Sequence, residues 1–494
     1  MRSDWIPYAL VAMPMLAGLM AFVLKSDRVR RILLLLAAAG HLALTLAALR
    51  LHPEPVPGSW IALDDAGLLF LLLTSVLFFA AAVYAQVYLR TESVSEHRDP
   101  EGESLLFDNA PEAVFTGCLL MFLGTMTLVE VGRHLGMIWV GVEATTLASA
   151  PLIYFHRHHR SLEAVWKYLM ICSVGIALAL LGLFALASVE SLPSMQFDDV
   201  LRSAAGVPPA WLKAAFILML VGYGTKMGLA PMHTWLPDAH SEAPSLVSAL
   251  LSGSLLNCAF LALWRMAQVC FAAGLDRFVH DLFLVLGFVS IGLAAVFIVS
   301  QRDFKRLLAY SSVENMGILA VGAGLGPAGA AGAFLHAVNH SLIKAALFLL
   351  AGNLLVLYGS RSTDAVRGAW RSAPATARLW LFGLLAIGGM PPFGTFISKF
   401  TVFKAALDTG HFILGALLLG LLLVVFAAMS RVGLKMVMGT PSPVPGASRR
   451  VGPVAMWVAP SLILLSLSLV LGLYLPGFLG GLIQRAAGAA GVWP

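Results

Sequence analysis

Charge is scarce in this sequence. Asp, Glu, Lys and Arg make up 12% of its 494 residues, about half the share expected of a soluble domain. With 59% hydrophobic residues, a soluble globular protein is excluded and an all-α polytopic membrane protein fits. Cysteine is scarcer still. Cys118, Cys172, Cys258 and Cys270 all lie in apolar stretches, and no two are spaced like a zinc or iron–sulfur site. They read as small residues in helix packing, so no cofactor or metal is expected in this chain. The glycines of 322–329 follow no strand, which argues against a dinucleotide loop. The start, Met1-Arg2-Ser3-Asp4-Trp5, lacks the basic region and small-residue cleavage site of a signal peptide, so the first apolar run is expected to be retained. No polar stretch is long enough for a separate soluble domain. The net charge of +6 would suggest an acidic or nucleic-acid partner in a soluble protein. In a membrane protein, loop lysines and arginines chiefly set topology, and no nucleic acid is expected.

What is present is a series of long apolar runs. At about twenty residues per span, they give about 14 transmembrane helices. Their cores lie near 6–24, 32–49, 66–87, 113–131, 135–155, 165–187, 211–235, 245–267, 278–300, 307–323, 330–357, 377–400, 411–437 and 454–475. With the N-terminus outside, nineteen of the 32 lysines and arginines fall on the cytoplasmic side, Arg98, Arg449 and Arg450 among them. Nine, including Arg2, fall outside, and four are buried lysines. That bias predicts both termini on the periplasmic side, and an even number of spans agrees.

Spans 4–8 and 9–13 carry comparable chemistry in the same order. Glu143 in span 5 answers to Glu314 in span 10, Lys167 in span 6 to Lys344 in span 11, and Lys226 in span 7 to Lys399 in span 12. Spans 7 and 12 are interrupted by glycine and proline, at 224–231 and 388–394. Five helices per unit is an odd number, so the second unit is inverted relative to the first, as in many secondary transporters. Lys226 precedes its break, whereas Lys399 follows its own. The expected organisation is a three-helix segment with an acidic loop (1–110), a first repeat (111–270), an inverted second repeat (271–440) and a C-terminal segment with span 14 (441–494).

The buried ionisable residues carry the chemistry. An ammonium or carboxylate at membrane depth is costly and tends to mark an ion pathway. Glu143 has no adjacent base, and Lys226 is its natural partner. A pair that opens and closes as a proton passes is the functional reading; a static ion pair fixing helix packing is the alternative. His336, His340 and Lys344 recur at four-residue steps and form one helical stripe. That stripe suits a proton relay, with interhelical hydrogen bonding or a two-histidine metal site as alternatives. Glu314, close to a loop, is a weaker candidate. Glu130 ends span 4. Lys167 begins span 6, where snorkelling to the interface is the simpler reading. His156–Arg160 is most simply a positive-inside anchor. His233, Asp238, His240 and Glu242 lie in or after the first break, where the acidic and histidine side chains suit either a proton mouth or a polar turn.

The segment Lys226-Met227-Gly228-Leu229-Ala230-Pro231-Met232-His233-Thr234-Trp235-Leu236-Pro237-Asp238-Ala239, with Pro244–Leu251 after it, resembles the signature of the antiporter-like subunits of respiratory complex I. Multisubunit cation/proton antiporters and membrane-bound hydrogenases share that family. The resemblance continues through 303–311, 336–344 and 389–399, covering most of the chain from span 4 to span 13. Glu143–Thr146, Ser311–Gly317 and Asn339–Ser341 look most like the F component of hydrogenase-4 and formate hydrogenlyase-type complexes. The resemblance implies a hydrated central axis, with Glu143 and Lys226 as the input pair, Lys344 with His336 and His340 as the central connection, and Lys399 as the exit. Ser252 stands where many relatives have a histidine, so serine or water replaces one relay position. The aspartate that the family's long subunit carries in span 6 has no counterpart around Gly175, and that subunit's long amphipathic arm is not expected.

The function expected is that of a proton-translocating subunit of a complex I-like, group 4 nickel–iron hydrogenase-type oxidoreductase in a bacterial inner membrane. It would have no catalytic centre of its own. Its partners would be other membrane subunits and a peripheral redox arm holding iron–sulfur and nickel–iron or flavin centres. A subunit of a sodium/proton antiporter is the alternative, although sodium favours clustered carboxylates or carbonyls over lysines. A scaffold that conducts nothing is the third reading.

Overall fold

The computed structural model describes residues 4–53, 58–94, 108–190, 192–444 and 451–488. Arg2, Arg98, Arg449 and Arg450, and most of the acidic loop, lie outside the described residues. The chain opens with α1 (Ile6–Val23), α2 (Asp27–Leu51), α3 (Asp65–Val94), α4 (Glu112–Val131), α5 (Leu135–Ile153) and α6 (His159–Ala187). There follow α7 (Phe197–Ser203), α8 (Pro209–Met227), α9 (Trp235–Glu242), α10 (Ser245–Leu250), α11 (Leu256–Ala272), α12 (Asp276–Val299) and α13 (Phe304–Ala323). The last are α14 (Gly326–Tyr358), α15 (Ala369–Ser372), α16 (Pro374–Gly388), α17 (Gly394–Asp408), α18 (Phe412–Val437), α19 (Val454–Leu473) and α20 (Gly477–Ala486). No strand occurs among the described residues.

Eleven described helices are long and apolar enough to cross a membrane. The other predicted cores coincide with the lysine-bearing α8, the polar α13 and the 15-residue halves α16 and α17. Apolar periodicity explains the rest of the layout. α14 is buried along nearly its whole length, and every residue from Ser245 to Ala267 is buried in the run through α10 and α11. Such all-round apolarity marks central helices. By contrast, α2, α12, α18 and α19 show large exposed side chains such as Leu36, Val296, Ile413 and Leu473, as helices on a lipid-facing perimeter do. Three features were not foreseen: the short α7, the terminal α20, and a π turn at Leu251–Leu255 between α10 and α11.

Small residues set the closest helix approaches, as expected where lipid offers no hydrophobic drive for association. A Cβ on Gly222 of α8 would meet Ala179 and the Gly175 carbonyl of α6 at 2.6 Å. A Cβ on Gly317 of α13 would meet the Gly287 carbonyl and Ile291 of α12 at 2.8 Å. These seams bring α6 against α8, and α12 against α13.

Candidate functional site: a line of buried ionisable side chains

The two breaks present the same local design. α8 stops at Gly228, whose φ of +82° suits a residue without a Cβ. Gly389 does the same after α16, at +91°. Lys226 lies in the last turn of α8, where the negative end of the helix dipole favours a cation. Lys399 follows its break in sequence, yet its Nζ turns back to the helix before it. It donates to the carbonyls of Ile387 (3.0 Å) and Gly388 (3.4 Å), which end α16. Lys399 thus reaches the C-terminal end of the helix before its break, and Lys226 lies in the last turn of the helix before its own.

Lys226 is fully buried. Its Nζ donates to Thr146 Oγ1 at 2.8 Å and to Tyr168 Oη at 2.6 Å, and it lies 4.4 Å from the centre of the Tyr168 ring. The direct Glu143–Lys226 ion pair expected from the sequence is not formed. Thr146 stands between them, donating to Glu143 Oε2 at 3.4 Å. Glu143 is only half-buried and lies beside the exposed Ser173, 3.5 Å from Oε1. The physical reason is position along the helix: Glu143 sits one turn before Thr146 on the same face of α5, so the Thr146 hydroxyl lies between the half-buried carboxylate and the Lys226 ammonium.

A direct pair joins α13 and α17. Lys399 Nζ lies 3.1 Å from Glu314 Oε1, and both side chains are buried. Asn315 Nδ2 donates to Glu314 Oε2 at 2.6 Å, and Asn315 Oδ1 lies 2.9 Å from His336 Nε2. His336 Nδ1 lies 2.9 Å from Ser398 Oγ. One turn along α13, Ser311 Oγ accepts from Lys344 Nζ at 2.5 Å, and the Leu308 carbonyl accepts from the same ammonium. Lys344, Ser311, Asn315, Glu314 and Lys399 therefore form one run of polar contacts. His336, His340 and Lys344 share α14 and are fully buried. Only His340 has neither ring nitrogen hydrogen-bonded. Ser252, in the π turn, meets Ser312 at 2.8 Å and links the central helices to α13.

Around the ends of α6, α9 and α13 lies a cavity of about 490 Å³. Asp238 sits on its wall between Lys167 (3.0 Å) and Arg306 (2.5 Å). Glu242 joins Arg361 at 2.6 Å. Lys167 is therefore not a buried counterpart of Lys344. Its side chain is 45% exposed and also pairs with Glu163 at 2.6 Å. α6 begins at His159, earlier than the predicted core, so Lys167 falls near its polar end. His240 turns away from the cavity, fully buried and stacked on Phe348 at 4.9 Å. His233 lies buried inside the first break, its ring edge towards Tyr310.

Sequence reasoning missed several groups here. Lys305 and Arg361, two of the nineteen lysines and arginines that the sequence puts on the cytoplasmic side, are both buried. Lys305 Nζ donates to the carbonyls of Ser241 (3.0 Å) and Ala243 (2.5 Å). Asp303 caps α13 by accepting from the backbone N–H groups of Lys305 and Arg306. Arg265 is also fully buried, and nothing in its apolar surroundings marked it. Among the described residues no group of three or more His, Cys, Asp or Glu is arranged to hold a metal ion.

A family model described as NADH:quinone oxidoreductase/Mrp antiporter, TM, matches residues 132–427. A hydrogenase-4 component F homolog of Methylacidiphilum infernorum (isolate V4) is 36% identical over 380 residues, which are 75% of this chain and 78% of that one. NADH-quinone oxidoreductase subunit N of Desulforudis audaxviator (strain MP104C) is 32% identical over 439 residues, 84% of this chain and 82% of that one. In fold, a chain of the Mrp complex from Dietzia sp. DQ12-45-1b superposes with a TM-score of 0.85 at 22% identity, over 98% of this chain and 97% of that one.

Proposed function

We propose, for a chain that belongs to the NADH:quinone oxidoreductase/Mrp antiporter membrane family, that it is the proton-translocating membrane subunit of a hydrogenase-4-like or complex I-like oxidoreductase. The observation that carries this reading is the run from Lys344 through Ser311, Asn315 and Glu314 to Lys399, buried where an uncompensated charge is most costly. We read the helices as fourteen crossings in an N-terminal segment, two inverted five-helix units and a last span. The repeated Gly-ended breaks and the shared placement of Lys226 and Lys399 support that division.

The chemistry follows from the pairs. The cavity bearing Asp238 and Glu242 takes up protons on the side read as cytoplasmic, where Arg160, Arg302, Arg306 and Arg361 cluster. Thr146 couples the half-buried Glu143 to Lys226. The central stripe of Lys344, His340 and His336 carries charge towards Lys399, which releases it when its pair with Glu314 opens. Moving one proton against 100 mV costs about 2.3 kcal/mol. Breaking a buried ion pair costs about 3–5 kcal/mol, so opening and closing one pair is adequate in scale. Redox chemistry and its centres belong, in this reading, to partner subunits of a complex in a bacterial inner membrane.

The family also contains sodium/proton antiporters, and that is the second reading. Here lysines fill the buried sites and carboxylates do not cluster, which favours protons. The test is proton pumping by the assembled complex in vesicles with Lys226→Met or Lys399→Met. Normal pumping in an intact complex would overturn the proposal, and sodium-dependent transport by the wild type would favour the second reading.

A further inference from the structure

Glu130 takes no part in the line of lysines. It lies near the end of α4, fully buried, with Oε1 accepting from Thr74 Oγ1 at 2.5 Å and facing the Cys258 thiol at 3.7 Å. Oε2 has no hydrogen-bond partner. Directly beyond it, Arg265 of α11 closes the end of α4. Its guanidinium donates to the carbonyls of Val129 (3.1 Å), Glu130 (3.0 Å) and Gly132 (2.8 Å), and pairs with Asp64 at 3.0 Å. Asp64 also holds Arg133 at 2.5 Å, and Arg133 reaches the exposed Asp198. A ladder of charge thus runs from the backbone of Glu130 through Arg265, Asp64 and Arg133 to the surface.

This end of the chain is opposite the 490 Å³ cavity. Glu242, on the cavity wall, precedes α10, and Arg265 lies on the order of 30 Å further along the same helical run. Arg265 already touches the backbone of residue 130, so its guanidinium has two carboxylates within range of small movements, Asp64 and Glu130. The other titratable or charged groups around Glu130 are Cys258 from α11, Arg133 after α4, and His41 from α2. His41 is held by Ser75 (2.9 Å) and Thr127 (3.0 Å), next to Thr74 and one turn before Glu130.

We propose that Glu130 is a proton-holding site at the outward end of the first unit, and that Arg265 controls it by exchanging Asp64 for the Glu130 carboxylate. On release, the O–H bond of the acid breaks, the carboxylate keeps the electron pair, and the proton passes to water at the Asp198 edge. Arg265 then pairs with Glu130. Arg265 is a positioning residue: it moves no proton itself but decides which carboxylate is compensated. The inference rests on the transport reading for its purpose, while its test reads Glu130 directly.

The experiment is infrared difference spectroscopy of the assembled, purified complex across neutral pH, on wild type, Glu130→Gln and Asp64→Asn. A protonated-carboxyl band is expected in wild type and absent from Glu130→Gln. Asp64→Asn, which leaves Glu130 in place, frees Arg265 to pair with it and abolishes the band at neutral pH. Pumping by Glu130→Gln is expected to fall about a hundredfold or more. A band that Asp64→Asn leaves unchanged overturns the proposal, as does the absence of any band sensitive to Glu130→Gln. Should Glu130→Gln fail to assemble, Asp64→Asn alone decides. Normal pumping in Lys226→Met would sink the transport reading without touching the spectroscopic result, so the two failures are separable.

Discussion

Lys399 and Glu314 form a direct buried ion pair at 3.1 Å, and Lys399 simultaneously donates to the last carbonyls of α16. Glu143 and Lys226, their counterparts by sequence order, are joined only through the hydroxyl of Thr146. One pair is therefore direct and the other bridged by a hydroxyl.

Glu314→Gln strands the Lys399 ammonium in a buried site. The expected cost is about 3–5 kcal/mol, because an uncompensated charge remains. Glu314→Gln combined with Lys399→Met removes both charges and regains most of that loss. Pumping remains abolished in the double variant. Thermal unfolding of the purified complex beside pumping in vesicles measures both; a double variant as unstable as the single one would show that the pair is not the source of the cost.

Thr146→Val keeps the shape of the bridge and removes its hydroxyl. A hydrogen bond to a charged group contributes about 1.5–3 kcal/mol, which at about 1.4 kcal/mol per decade is tenfold or more in proton-transfer rate if it is fully expressed there. Thr146→Ser retains the hydroxyl and is expected to pump nearly as wild type. Equal rates for the valine and serine variants would mean that the hydroxyl carries no coupling between Glu143 and Lys226.

Much of this was legible in the sequence because membrane helices announce themselves through apolar length. Lys226, Lys344 and Lys399 stand out because polar atoms are rare in such stretches. What could not be read was rotation and depth. Glu143 and Thr146 are three residues apart, and only packing against α6 and α8 decides which of them meets Lys226. Lys167 lies two turns from a helix start that the apolar pattern placed too late. Lys305, Arg361 and Arg265 are chemically identical to loop cations, and their burial comes from carbonyls and carboxylates contributed by distant segments. Motif order located the two breaks correctly, yet the backward reach of Lys399 to the end of the helix before its break is set by packing.

Gly222→Ala tests the seam that holds the Lys226 environment. The new methyl would lie 2.6 Å from the Gly175 carbonyl and from Ala179, so α6 and α8 must separate. Overpacking of this kind costs about 1–3 kcal/mol. Since Tyr168 on α6 is a direct partner of Lys226, transport should fall along with stability. A variant at Gly206, where an added Cβ meets nothing within 4 Å, should change neither. Loss of stability with normal pumping in Gly222→Ala would separate the seam from the site.

Asp64 offers a pH-dependent test outside the membrane-spanning helices. Burial alone would raise its pKa, but the guanidinium groups of Arg265 and Arg133 outweigh burial and hold the carboxyl below its ordinary value of 3.8. A carboxyl whose pKa is lower in the folded state stabilises the fold fully above the ordinary value, and that contribution disappears as pH falls through the lowered one. In a Glu130→Gln background, where the neighbouring carboxyl cannot titrate, the stability difference between Asp64 and Asp64→Asn should therefore be constant through neutral pH and shrink only below about pH 4. Thermal unfolding of both proteins in a pH series, at fixed ionic strength, measures this. A difference that shrinks between about pH 8 and about pH 5 would show that a group other than Asp64 titrates with the Arg265 cluster.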